Sequence, residues 1–184
     1  GLGEPIGFVL PLMFSVDRGR WISNRWEFQG GTLQLVPGDS PIGLRLPTAS
    51  LPFVPKKELE TIPEPSGFAP RSALSSPEEL EQIAQRRARK PGSYGYFDSD
   101  KVGRVRTSLC VEVRDKQLCV FMPPIVLLEH YVDLLTAVRV ASRECGIEPV
   151  IEGYPPPADV RLQSFKVTPD PGVIEVNIQP ARTW

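Results

Sequence analysis

Hydrophobic and polar positions alternate with a period of two through residues 105–113. Val105, Thr107, Leu109, Val111 and Val113 form one set; Arg106, Ser108, Cys110, Glu112 and Arg114 form the other. That period puts each set on its own face of a β-strand. Asp115-Lys116 predicts a tight turn, and residues 117–122 return as a second strand, with Glu112 opposite Cys119 if the loop has two residues. Pro123-Pro124 stops the sheet. The spacing then changes: Leu127, Leu128, Tyr131, Leu134, Leu135, Val138 and Ala141 make one stripe of an amphipathic helix over residues 125–145, with Gly146 as its C′ residue. Residues 149–152, 165–168 and 173–178 read as further strands, and Pro169-Asp170-Pro171-Gly172 specifies a tight turn between the last two. In the final strand Ile174, Val176 and Ile178 share one face; Val173, Glu175 and Asn177 share the other. The order strand–strand–helix–strand–strand–strand predicts an α+β fold, a mostly antiparallel sheet covered by one long helix.

The first half is more broken. Residues 7–15 read as a strand that Pro11 confines to an edge or a bulge. Residues 20–28 follow after the Asp17-Arg18-Gly19 turn, with Trp21, Ile22, Trp26 and Phe28 as strand formers. Gly30-Gly31 turns the chain into residues 32–36, completing a small antiparallel meander over residues 1–36. Residues 37–70 carry prolines at 37, 41, 47, 52, 55, 63, 65 and 70. Proline holds the residue before it extended, so this tract is an extended belt; Leu44, Leu46, Leu51, Phe53 and Val54 lay it on a surface. Ser76-Pro77-Glu78-Glu79 opens a helix with Ser76 as N-cap, Pro77 at the first position and Glu79 closing a capping box. The run Arg86-Arg87-Ala88-Arg89-Lys90 closes that helix. Cations at a helix C-terminus are favoured by the dipole, and a phosphate or RNA contact is the alternative. Residues 93–103 form a loop rich in Tyr, Gly and Asp. Three units are therefore expected: a β meander over 1–36, a proline-rich belt with one short helix over 37–104, and an α+β half-domain over 105–184.

Composition narrows the function classes. The 184 residues include 21 prolines and 15 glycines, which excludes a long helical bundle, since an interior proline costs a helix ~3 kcal/mol. The formal net charge is −1, without the basic footprint of a general nucleic-acid binder. No run of about 18 apolar residues is present to cross a membrane, and residues 1–12 lack the basic start of a signal peptide. Cys110, Cys119 and Cys145 are an odd, sparse set that fits small buried hydrophobes in a reducing cytoplasm. With His130 as the single histidine, a multi-histidine metal site or a Ser-His-Asp triad has little to build on.

Two carboxylates stand out. Glu112 and Glu175 are each mid-strand, flanked by apolar residues, and aim away from the apolar stripe. On neighbouring strands they would repel unless one were protonated or a cation lay between them. Mg²⁺ suits such a pair, because it takes hard oxygen ligands and keeps waters and phosphate oxygens in its shell. Arg106, Arg114 and Asn177 share the face, and the guanidinium groups could hold a carboxylate or phosphate in bidentate fashion. The alternative is a solvated polar face with cross-strand Glu–Arg pairs. A non-catalytic interaction module, presenting Trp21, Trp26 and the belt to a partner, also remains open.

Longer strings point further. Residues 36–41 (Val-Pro-Gly-Asp-Ser-Pro), 51–55 (Leu-Pro-Phe-Val-Pro), 106–112, 120–124, 151–157 and 167–178 resemble a large bacterial family of unassigned function. Its members lie beside, or are fused to, transglutaminase-like proteins. That family is grouped with carboxylate–amine ligases of glutamine-synthetase-like fold, the amidoligases. The resemblance implies use of ATP and Mg²⁺ to activate a carboxylate as an acyl phosphate that an amine then attacks. It implies metal ligation by Glu112 and Glu175, with Asp170 at the turn, and by position a phosphate contact from Lys166; the shared face adds Arg106, Arg114 and Asn177 as substrate or nucleotide contacts. It implies, too, that this chain is an internal section of a longer polypeptide. A Gly-rich, Asn-His-containing segment of the family has no counterpart here, so the section is expected to be inactive and free of ATP and Mg²⁺ when alone. Its partners would be the remainder of the polypeptide and a peptide or protein substrate. One departure is plain: where the superfamily's first strand carries a second acid, Arg114 stands here.

Overall fold

The computed structural model describes residues 7–28, 33, 35–38, 44–59, 61–64, 66, 70–88 and 104–178. The Gly30-Gly31 turn, the basic residues Arg89 and Lys90, and the loop over 93–103 lie outside the described residues.

The fold is α+β. Its centre is a four-stranded sheet in the order β1-β6-β7-β8, formed by β1 (Gly7–Pro11), β6 (Ser108–Arg114), β7 (Gln117–Met122) and β8 (Val150–Gly153). The β6–β7 hairpin has the predicted two-residue turn. Asp115 and Lys116 take φ of 50° and 65°, and two positive φ values in succession supply the twist that a two-residue hairpin loop requires. Glu112 pairs with Cys119 as expected.

Helix α2 (Leu128–Cys145) follows β7 and returns the chain so that β8 runs parallel to β7. Parallel neighbours need such a crossover. The helix begins three residues later than its periodicity predicts, because Pro123 and Pro124 keep the entering chain extended. It ends at Gly146 in the left-handed conformation, φ 66°, with Gly146 and Ile147 amides bonding back to Arg143 and Ser142 carbonyls. Its stripe buries Tyr131 and Leu134 against Leu109, Val120 and Met122 of the sheet and Leu12 beside it. Trp21, Val111, Ile125, Leu135 and Val138 close the edges of this core.

The amino-terminal meander differs from expectation. Pro11 ends β1 and Leu12 interrupts the chain, so β1 pairs antiparallel with β6 while β2 (Met13–Ser15) pairs with β3 (Arg20–Ile22). The edge position of β1 agrees with its proline, which cannot donate to a further strand. A short pair, β4 (Val36–Pro37) with β5 (Leu44–Arg45), opens the belt. Helix α1 (Pro77–Ala88) has the capping box: the Glu79 amide donates to Ser76 Oγ at 3.2 Å, and the Ser76 amide donates to Glu79 Oε2 at 3.0 Å. It packs on α2. Arg87, predicted as a dipole-complementing cation, makes an ion pair with Asp133 of α2 at 2.9 Å.

The last two strands, β9 (Phe165–Asp170) and β10 (Val173–Ile178), form a separate two-stranded sheet turned at Gly172, φ 84°. Its apolar residues are open to solvent, Ile174 at 75% and Ile178 at 70%.

Candidate functional site

Residues opposite one another on neighbouring strands project to the same side of a sheet. Leu109, Val111, Val120 and Met122 take the side facing α2. The registers put Cys110, Glu112, Arg114, Cys119, Phe121 and Glu152 together on the other side, with Glu152 of β8 beside Phe121 of β7. Opposite Glu112 on β1 stands Gly7, where a Cβ would come within 2.5 Å of the Val111 carbonyl oxygen and 3.0 Å of Glu112 Cβ. Only glycine lets β1 lie this close to the glutamate.

The centre of this face is a guanidinium between two carboxylates. Arg114 Nη2 bonds Glu152 Oε1, and Arg114 Nη1 lies 3.7 Å from Glu112 Oε1. The guanidinium carbon sits 5.9 Å from the Phe121 ring centroid, and Nη2 reaches Cys119 Sγ at 3.5 Å. The hydrogen bond to Glu152 raises the Arg114 pKa above its ordinary value. Burial pushes the Cys110 thiol up; a hydrogen bond with Ser108 opposes this and the Glu112 charge adds to it, so Cys110 is a poor nucleophile.

Glu112 is only 7% exposed, where the sequence pattern places it on an open surface. Its Oε1 is buried without a hydrogen-bond partner, and so is Glu152 Oε2. A buried acceptor without a donor is costly, about 1–3 kcal/mol, and calls for an explanation in function or in a missing ligand. Two carboxylates against one guanidinium also leave a net negative charge on the face.

The other predicted residues are elsewhere. Glu175 and Asn177 lie on β10, Lys166 and Asp170 on β9, with Asn177 opposite Lys166 and Val173 opposite Asp170. Glu175 is exposed and accepts a hydrogen bond from Asn177 Nδ2 at 3.1 Å. Glu112 and Glu175 therefore stand on different sheets, and the expected pairing on adjacent strands of one sheet is not formed. The reason is topological: β8 takes the place beside β7, and β9 and β10 pair with each other. Arg106 precedes β6 and turns toward the belt, donating to the Thr48 carbonyl at 3.3 Å and to the Pro52 carbonyl. Of the predicted set, Glu112 meets Arg114 on the central sheet and Glu175 meets Asn177 on β10, and the two pairs stand on different sheets.

Glu152 is the residue that sequence reasoning passed over. Its signal was the alternation Val150-Ile151-Glu152, which sets the acid on the face opposite Ile151. Its placement beside Phe121 depends on the parallel crossover, which no local pattern reveals. Among the described residues no cluster of three or more His, Cys, Asp or Glu side chains could hold a metal by itself.

A helix-backed sheet whose other face holds an acid–guanidinium–acid cluster defines an α+β protein with an electrostatically prepared surface. Over residues 1–184 the chain matches the family described as "Putative amidoligase enzyme (DUF2126)", and it belongs to that family. No curated protein and no solved structure matches it. Among the described residues no helix is long and apolar enough to cross a membrane.

Proposed function

We propose that this chain carries part of the catalytic layer of an ATP- and Mg²⁺-dependent carboxylate–amine ligase, and that the sheet face opposite α2 is its metal-binding surface. The observation behind this is the pair of buried oxygens without a hydrogen-bond donor, Glu112 Oε1 and Glu152 Oε2, on the two carboxylates that flank Arg114. The donor set fits Mg²⁺: the ion is usually held by one or two carboxylates, with water and substrate phosphate completing its shell. Glu112 and Glu152 would hold it. When bound, it would withdraw charge from the phosphoryl oxygens as the γ-phosphoryl moves to a carboxylate. Arg114, fixed by Glu152 and by the Phe121 ring, keeps the two acids from repelling one another before the ion arrives and offers spare N–H groups to an anionic substrate. The buried setting of Glu112 strengthens each of these interactions relative to water.

The remainder of a longer polypeptide would complete the nucleotide site, and a peptide or protein would supply the carboxylate or the amine. Glu175 and Asp170 join this face in the proposal only if the β9–β10 hairpin folds onto it. Calorimetric titration of the longer polypeptide with Mg²⁺ and with Mg²⁺-ATP tests the reading. A single saturable site is expected, weakened at least tenfold by Glu112→Gln and by Glu152→Gln; absence of saturable binding to the wild type, or binding that both variants retain, overturns it.

A second reading rests on the hairpin. Phe165, Val167, Ile174, Val176 and Ile178 share one face and are all more than half exposed, and a contiguous apolar surface of this kind marks a contact site. In that reading the chain is an interaction module. Strong binding of a hydrophobic dye that Ile174→Ser with Ile178→Ser abolishes would support it, and weak binding unchanged by those substitutions would exclude it.

A further inference from the structure

A second site lies between the β2–β3 hairpin, the belt and the first turn of α2. A cavity of about 220 Å³ opens there, floored by Phe14, Trp21, Ile62 and Ile125 and walled by Arg106 and His130. None of Glu112, Arg114 and Glu152 lines it, so it is independent of the ligase reading. Its size falls below the ~300–1,000 Å³ of pockets for drug-sized ligands. It suits a group about as large as one amino-acid residue and is too small for a nucleotide.

Its polar walls are specific. The His130 ring stacks on Phe14, centroids 3.6 Å apart and planes 19° apart, with Trp21 edge-on at 6.4 Å. That stacking fixes the imidazole, yet Nδ1 is buried with no hydrogen-bond partner. Arg104, also on the wall, is matched by Glu58 at 3.4 Å. Arg106 donates only to backbone carbonyls of Thr48 and Pro52, and among the described residues it has no carboxylate partner. The cavity thus combines an apolar floor, a guanidinium with no carboxylate partner among the described residues, and an imidazole ring on its wall.

We propose that this cavity binds a small apolar carboxylate: the body rests on Phe14, Trp21 and Ile62, the carboxylate engages Arg106, and the His130 ring lies beside it. A free acid and the C-terminal residue of a peptide share this chemistry. His130 is the chain's single histidine, so its imidazole proton signals report the site without ambiguity. The experiment titrates 3-phenylpropionate, its neutral amide and a tripeptide ending in phenylalanine, following those signals by proton NMR. A saturable shift with the acid or the peptide is expected, and the tighter of the two identifies the source. The amide should bind about tenfold more weakly, as loss of a charge-assisted contact implies. Arg106→Gln should erase the difference between acid and amide. Should that variant fail to fold, the wild-type comparison decides alone. No saturable shift with either carboxylate, or an amide that binds as tightly as the acid, overturns the proposal.

Discussion

Glu112→Met asks whether the buried acid serves function or structure. Methionine has a similar length and no polar atom to satisfy. In the wild type, Glu112 is 7% exposed and its Oε1 has no donor. Removing such an acceptor returns about 1–3 kcal/mol of desolvation cost. Against this stands the loss of the longer of the two Arg114 ion pairs, at 3.7 Å, while Arg114 keeps Glu152. Cys119 stands opposite the new side chain on β7, with Cys110 and Phe121 on the same face. The expected outcome is a gain of about 1 kcal/mol, which for a chain of this length is a rise in Tm of about 2–4 °C. Urea unfolding followed by tryptophan fluorescence, with thermal unfolding alongside, measures it. Residues kept for function at the expense of stability behave in this way. A loss of about 2 kcal/mol or more would refute the reasoning, because it would show the carboxylate to be a satisfied structural group.

Three further outcomes follow from the packing. Leu134→Ala removes a side chain buried between α2 and the sheet and should cost about 2–5 kcal/mol by chemical denaturation. Gly146→Ala should cost about 1–2 kcal/mol, all of it from the left-handed backbone, since a Cβ there meets no atom within 4 Å; the same melts measure it. Burial holds the His130 imidazole below its ordinary pKa, against the raising influence of Asp133 and Glu129. The unfolded chain therefore takes up its proton first as pH falls below about 6.5, and stability declines until the folded state is protonated as well. His130→Phe should flatten the fall in urea midpoint between about pH 7.5 and 5.5, and an unchanged slope would remove His130 as its source.

Local chemistry in the sequence carried much of this architecture. The β6–β7 hairpin, the capping box of α1 and the Gly146 stop of α2 depend on neighbours within a few residues, and their residue types specify them. Long-range pairing did not show in the same way. Pro11 marked an edge strand, but nothing near residues 7–11 says that the neighbour is β6. The alternation in β6 put Glu112 and Arg114 on one face correctly, yet periodicity measures direction and not burial, so it suggested an exposed acid. It also assigned Val113 to the core face; at the hairpin end, beyond the cover of α2, that residue is 69% exposed. The expected partner of Glu112 was sought in β10 because both strands carry an isolated acid. The acid that reaches Arg114 is Glu152, brought there by the βαβ crossover.

Where a divalent cation binds decides whether the face opposite α2 is a metal-binding surface. Backbone amide NMR of the chain with substoichiometric Mn²⁺ reads this directly, because the ion broadens the signals nearest to it. The expected result is selective loss of the signals around Glu112, Cys119 and Glu152, reversed by excess Mg²⁺ and absent in Glu112→Gln. Broadening centred instead on Asp170 and Glu175, or spread evenly over the acidic surface, would contradict it.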